Sequence, residues 1–367
     1  WVPPAFDPAN GTQGSEILRS RLDAFMSQNP GVQVVVRVKA DNGPAGLLES
    51  LASANAVAPK AMPSLVLLSR SDLETAALKG LIQPQDGLSA FSADEDWYPV
   101  ARQMATIQDR NYGLPFAADA LVLVYRPARL GMAPADWNSI LRLGQTMAFP
   151  AADPQGLVTL TLYQSTGGII MDALRRPMLQ PEELTRVLEF YAEGARLGSF
   201  PYWLTQLQTD DQVWEAFRAQ RTHAAITWIS SYLGDLPLDA SAVPLPVLGE
   251  KAFTLGRGWL WCLSDPLPER RALSMKLAEY LVESEFLTDW SSAAGYLPPR
   301  PSSVAALPDQ GVISLLEQIA LAANLRPANE LVGSLGPVLQ DAVIQIIRNQ
   351  SQPAEAAQAA VDTLNRP

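Results

Sequence analysis

The sequence predicts an α/β protein of two lobes, each with a central, mostly parallel sheet, joined by segments that cross from one lobe to the other. Three observations predict it. Apolar runs of strand character alternate with amphipathic runs of helical period, the pattern of a sheet covered by helices. The 367 residues are too many for one ordinary core and suit two. No repeat, low-complexity linker or compositional shift marks a tether, so lobes sharing several crossing strands fit better than lobes strung on one linker.

The elements follow in order. Residues 15–28 place Ile17, Leu18, Leu22, Phe25 and Met26 on one side of a helix, which Asn29-Pro30-Gly31 stops. Residues 32–38 alternate as a strand, 44–57 read as a helix, 64–68 as a strand, and 72–79 as a short helix ended by Gly80. Residues 121–125 form an apolar, partly β-branched run, the profile of a buried strand, with Asp119 at its mouth. A helix over 136–143 and a short strand over 147–149 come next. Pro181 opens a helix over 181–197 with Leu184, Val187, Leu188, Tyr191 and Ala195 at helical spacing. Asp210 or Asp211 is placed to cap the helix carrying Val213, Trp214 and Phe217. Strands over 224–229 and 258–263 and helices over 266–282, 335–348 and 353–364 complete the chain.

Composition excludes several classes. The longest apolar runs fall far short of the 18 or so residues of a membrane span, so the chain is expected to be soluble. A net charge of −11 argues against nucleic acid, whose phosphates need a basic face. The 27 basic residues are almost all arginine, which points to genomic base composition, and 30 prolines stiffen the loops. Cys262 is the only cysteine, lies in an apolar run, and reads as a small buried hydrophobe.

Enzyme signatures are largely missing. His223 is the only histidine, so a zinc site or a Ser/Cys triad lacks its partners, and there is no G-x-S-x-G elbow, P-loop or dinucleotide fingerprint. No cofactor and no metal is expected. The acid pairs Asp94-Glu95-Asp96, Glu182-Glu183 and Asp210-Asp211 sit in polar stretches or at helix starts, where they suit the helix dipole. What stands out is a scatter of aromatics near strand ends. Trp228 is followed by Tyr232, and Trp259 and Trp261 are two apart and so share one strand face. Such rings suit the core, and as a set they also suit flat platforms on which sugars stack while polar groups take their hydroxyls.

Five stretches carry a family resemblance along nearly the whole chain: "NPGVQVVVRV", "SLVLLSRSDLETAALKGLIQPQDGL", "YGLPFAADALVLVYRP", "RTHAAITWISSYL" and "YLVESEFLTDWSSAAGYLPPRPSS". In this order they resemble the extracellular solute-binding proteins of ABC importers, specifically the sugar-binding branch typified by maltose-binding protein. The third resembles that family's first crossing strand, with Arg126 in place of its usual Asn. The resemblance implies a type II periplasmic binding fold with ligand held in a cleft between lobes that close on hinges. One lobe would comprise residues 1–116 with roughly 256–297, the other 117–255 with roughly 298–367, with hinges near 116–120, 253–258 and 296–300. It implies no catalysis, and a partnership with membrane permease subunits outside the cytoplasm, periplasmic or lipid-anchored, after export by a segment not in this sequence. The protein is expected to act as a monomer.

Carried over by position, the resemblance makes Asp119 the acidic ligand contact, Arg70, Ser71 and Asp72 the cleft loop, and Tyr232 a stacking aromatic with Trp228 beside it. Phe6, Gln164, Ser230 and Arg300 complete the set. A second platform of the maltose proteins falls near Gly336, which has no ring, so Trp259 and Trp261 are the candidates to supply that surface. Two other readings stay open. The same fold can take a peptide, polyamine or anion, and Arg70, Arg257 and Arg300 keep the anion reading alive. A glycosidase would use two facing carboxylates.

Overall fold

Residues 1–131, 136–142, 144–249, 252–265 and 267–366 are described by the structure, a computed structural model. The chain forms two compact units: Trp1–Asp119 with Gly256–Leu321, and Ala120–Leu255 with Ala322–Pro367. The described residues form nine strands: β1 Leu65–Ser69, β2 Thr106–Ile107, β3 Arg110–Asn111, β4 Leu114–Tyr125, β5 Met147–Ala148, β6 Ala224–Trp228, β7 Ser241–Pro244, β8 Thr254–Leu263 and β9 Ala323–Leu325.

In the first unit β1 pairs antiparallel with β8, Leu65 opposite Leu263 and Ser69 opposite Trp259, and β2 and β3 form a hairpin. Four of the five β1 residues are fully buried, which its unbroken apolar run requires. The helix Gln13–Gln28 starts two residues before its apolar face because Thr12 caps it, its Oγ1 accepting from Ser15 N at 3.2 Å. Residues 298–321 pack in this unit rather than in the C-terminal lobe. Arg300 ties them there through Asp94, Asp96 and the carbonyl of Val282.

In the second unit β6 and β7 both pair antiparallel with β4, and among the ladders whose register is described only β5–β6 is parallel. The ladders are therefore mainly antiparallel, a correction to the mostly parallel sheets expected. A long strand that leaves a unit can be matched there by one that returns, and β4 and β8 both extend past a unit boundary. The helix Pro181–Arg196 runs as expected, with Pro at its start and Glu182 and Glu183 in its first turn. The cap of Asp210–Arg218 differs. Thr209 and Gln212 form a capping box, which frees Asp210 to accept from Trp228 Nε1 at 2.8 Å. The helix Asn329–Ile347 begins well before residue 335. By length and composition it is the one described helix long and apolar enough to cross a membrane, and its buried face packs on the helices Pro181–Arg196 and Pro353–Leu364. Leu143 and Pro266, at the ends of two expected helices, lie outside the described residues.

Cys262 is wholly buried in β8, and burial pushes its thiol far above the ordinary range. The strand expected over 32–38 forms no ladder; only Val38 bridges, to Val2.

Candidate functional site

β8 carries the most site-like group in the first unit. Its residues alternate, so Arg257, Trp259 and Trp261 share one face, as their spacing predicts. The Arg257 guanidinium donates from Nη2 at 2.9 Å and Nε at 3.2 Å to Asp119 Oδ2 on β4. The two partners differ in exposure. The Asp119 side chain is 0% exposed and that of Arg257 38%. The carboxylate is thus an internal anchor and the guanidinium the part that meets solvent. Asp119, expected as a direct acceptor of solute hydroxyls, has its carboxylate inside the unit and bonded to Arg257, the more exposed partner of the pair.

The Trp259 ring lies 5.4 Å from the Arg257 guanidinium carbon. It packs on Phe6 at 5.3 Å and edge-on to Tyr296 at 5.5 Å. Phe116 and Trp290, 4.2 Å apart, back this cluster, and Trp290 stacks on Tyr296 at 5.6 Å. Burial, then the Asp119 charge, push the Tyr296 phenol up to about 12, so at neutral pH it is a hydroxyl donor. Asp41 acts on it too, and that carboxyl is itself raised by burial. A fixed guanidinium, a phenol and a half-buried indole are what hydroxyl recognition with ring stacking requires.

The other expected residues divide. Arg70 opens the helix Arg70–Leu78, and Ser71 and Asp72 fill its first turn. Ser69 caps it, accepting from Asp72 N at 3.1 Å and contacting Ser71 Oγ at 2.8 Å. Arg70 is turned inward, Nη1 3.6 Å from Glu74, and burial lowers its pKa while Glu74 and then Cys262 oppose the shift. Phe6 is 2% exposed inside the aromatic cluster, and Trp261 is buried against Phe116 at 5.5 Å. Arg300 is spent on Asp94 at 2.7 Å and Asp96 at 3.3 Å and lies 3.8 Å over Trp97. In the second unit Trp228 is buried on Asp210, whereas Ser230 and Tyr232, on the helix Ile229–Asp235, and Gln164, on Leu157–Ser165, are half-buried. Of the expected ligand contacts, Phe6, Trp228 and Trp261 are thus buried in the packing of their units and Arg300 is held by Asp94 and Asp96.

Sequence reasoning did not single out Tyr296 or Asp41 and weighed Arg257 only for anions. An arginine between two glycines inside an apolar strand is a signal that could have singled it out. Among the described residues no three His, Cys, Asp or Glu side chains could together hold a metal ion.

Gly336 explains the missing platform. A Cβ there would lie 2.2 Å from Pro154 O, so the backbone of residues 154–155 occupies the place of any side chain. Gly336→Ala is expected to destabilise by about 1–3 kcal/mol through overpacking, read as a lower midpoint in thermal unfolding.

Comparison with known proteins places these observations. The family profile of bacterial extracellular solute-binding proteins matches residues 20–313. A maltotriose-binding protein of Pyrococcus abyssi is 21% identical over 241 residues, 63% of this chain; the matched stretch spans 51% of that relative. Among solved structures, the sugar-binding protein MalE of Xanthomonas citri superposes with a TM-score of 0.78 at 17% identity, covering 96% of this chain and 95% of its own. A solute-binding protein from Thermotoga lettingae, bound with α-D-tagatose, gives a TM-score of 0.75 at 18% identity, covering 99% and 97%.

Proposed function

The chain belongs to the bacterial extracellular solute-binding proteins, and from that premise we propose that it is the receptor of an ABC importer that captures a sugar or sugar derivative. Its place is then outside the cytoplasm, and its partners are the solute and a membrane permease that takes the solute from it. The family is one of binding proteins, and the proposal assigns the chain no catalytic step.

The observation that carries the reading is Arg257, fixed by a wholly buried carboxylate and set beside the Trp259 ring. The guanidinium offers directed donors to ring and hydroxyl oxygens, while the indole covers the apolar C–H face of a pyranose. Its charge is already balanced by Asp119, so a neutral ligand gains more from it than an anion does. This favours a sugar over the phosphate or carboxylate ligands that arginines alone would suggest. Tyr296 adds a hydroxyl on the same unit. The absence of a ring at Gly336 argues against a long stacked dextrin and for a shorter sugar.

Isothermal calorimetry with mono-, di- and trisaccharides tests the proposal. Saturable heat with a dissociation constant on the order of micromolar is expected for at least one short sugar. No heat for any sugar, with heat for a peptide, polyamine or phosphate ester, would overturn the assignment.

A further inference from the structure

The sequence holds two Asn-Gly pairs, Asn10-Gly11 and Asn42-Gly43, and both lie exposed in the first unit. An asparagine followed by glycine can lose its amide without an enzyme. The next backbone nitrogen attacks the side-chain carbonyl carbon, and glycine has no Cβ to block the approach. In both pairs the glycine has positive φ, +80° at Gly11 and +89° at Gly43, with open space where a Cβ would stand. The glycines therefore do not separate the two pairs. The hold on each asparagine does.

Asn10 is tied. Its Oδ1 accepts from Thr12 N at 3.0 Å and from Thr12 Oγ1 at 2.8 Å, and its own N donates to Asp7 O at 3.2 Å. Thr12 is itself fixed as the cap of the helix Gln13–Gln28. Turning the Asn10 side chain onto Gly11 N breaks two bonds and loosens that cap. Asn42 has no such hold. Among the described bonds neither its side chain nor Gly43 N has a partner. The loop is pinned at its base, where Ala40 bridges Gly46 and Leu47 N donates to Ala40 O at 2.8 Å. Gly43 is held only through its oxygen, which accepts from Gly46 N at 2.8 Å and leaves the nitrogen to react.

A base stands nearby. A Cβ on Gly46 would lie 2.5 Å from Glu49 Oε2 and 3.0 Å from the carbonyl carbon of Asn42. Glu49, exposed in the first turn of the helix Leu47–Val57, thus sets its carboxylate beside the Asn42–Gly43 peptide, whose N–H proton must leave.

We propose that Asn42-Gly43 is a site of spontaneous deamidation in the folded protein, with Glu49 as the local base, and that Asn10-Gly11 is protected. Gly43 N bonds to Asn42 Cγ as its proton passes to Glu49. The Cγ–Nδ2 bond breaks, and ammonia leaves with the proton that Glu49 returns. The product is a five-membered imide. Water then adds to one of its two carbonyls and opens the ring, giving aspartate or isoaspartate at position 42. Either product places a new negative charge next to Asp41, whose charge already acts on Tyr296. This inference stands apart from the nature of the ligand.

The test incubates the 367-residue protein at mildly alkaline pH, folded and in urea, and follows peptides spanning each pair by mass for the change from amide to acid. In the folded protein, loss at Asn42 is expected to run about tenfold or more faster than at Asn10, because two bonds must open at Asn10 first. In urea the two rates are expected to agree within about threefold, which assigns the difference to the fold. Glu49→Gln is expected to slow the loss at Asn42 severalfold and to leave Asn10 unchanged. Equal rates at the two sites in the folded protein overturn the proposal. So does an intact Asn42 over the time in which the urea-unfolded chain reacts. An unchanged rate at Asn42 in Glu49→Gln overturns the role given to Glu49.

Discussion

Arg257→Ala is expected to destabilise the protein more than Asp119→Ala, although the two residues share one ion pair. Removing Arg257 leaves a wholly buried carboxylate without its ion partner, a loss of about 3–5 kcal/mol for a pair of this kind. Removing Asp119 leaves a guanidinium that already reaches water, and its cost is nearer 1–2 kcal/mol. The single variants also differ in binding. Arg257→Ala removes the donors that the proposal aims at the sugar, and at least a hundredfold loss of affinity is expected. Asp119→Asn keeps the shape but holds the guanidinium by a weaker, neutral bond, and a loss of about tenfold is expected. Urea unfolding and calorimetric titration of the two single variants and the double variant give the coupling energy for both properties. Equal stability losses, or full affinity in Arg257→Ala, would contradict this account of the pair.

In the 367-residue chain, capping the amine of Trp1 is expected to change how stability depends on pH. In the unfolded chain the Trp1 ammonium has its ordinary value of 8.0, and in the folded protein burial lowers it to about 5. Between these values the unfolded state binds more protons, so stability rises with pH across that window. The penalty is fully present below about pH 5 and gone above about pH 8. By linkage it amounts to about 1 kcal/mol at pH 7, and to several kcal/mol as an upper bound near pH 5. Acetylating Trp1 removes the charge in both states. The acetylated protein should therefore match the free one at pH 8.5 and exceed it increasingly toward pH 5, as read from unfolding midpoints. Parallel pH profiles for the two forms would show that the amine is not buried as a charged group.

The comparison of sequence with structure has a physical pattern. The helix Pro181–Arg196 and the strand Ala224–Trp228 were legible because apolar period and end signals agree there. Strand direction was not legible. Alternating elements suggest crossovers, but nothing local in β4 or β8 states that each runs past a unit boundary and pairs antiparallel. The strand at 32–38 differed for another reason: its alternation matches a strand, but among the described residues only Val38 of this stretch makes a bridge, to Val2. At the site, residue type was informative and orientation was not. Asp119 was singled out because a carboxylate entering an apolar strand requires a partner, and the partner sits 138 residues away, where only the fold can bring it. Arg300 looked like a ligand donor until its donors were matched to Asp94, Asp96 and a carbonyl. Trp228 and Phe6 show the same limit, since a platform and a core ring have the same sequence.

The burial of Cys262 has a practical consequence. Its thiol is 0% exposed and far from ionised at neutral pH, so maleimide and iodoacetamide chemistry meets a silent background in the folded protein. A cysteine introduced at Ser230 would be the sole labelling position, and the native thiol need not be removed. One environment-sensitive fluorophore attached there turns the protein into a reagentless optical reporter, with stoichiometric dye incorporation and a signal traceable to a single residue.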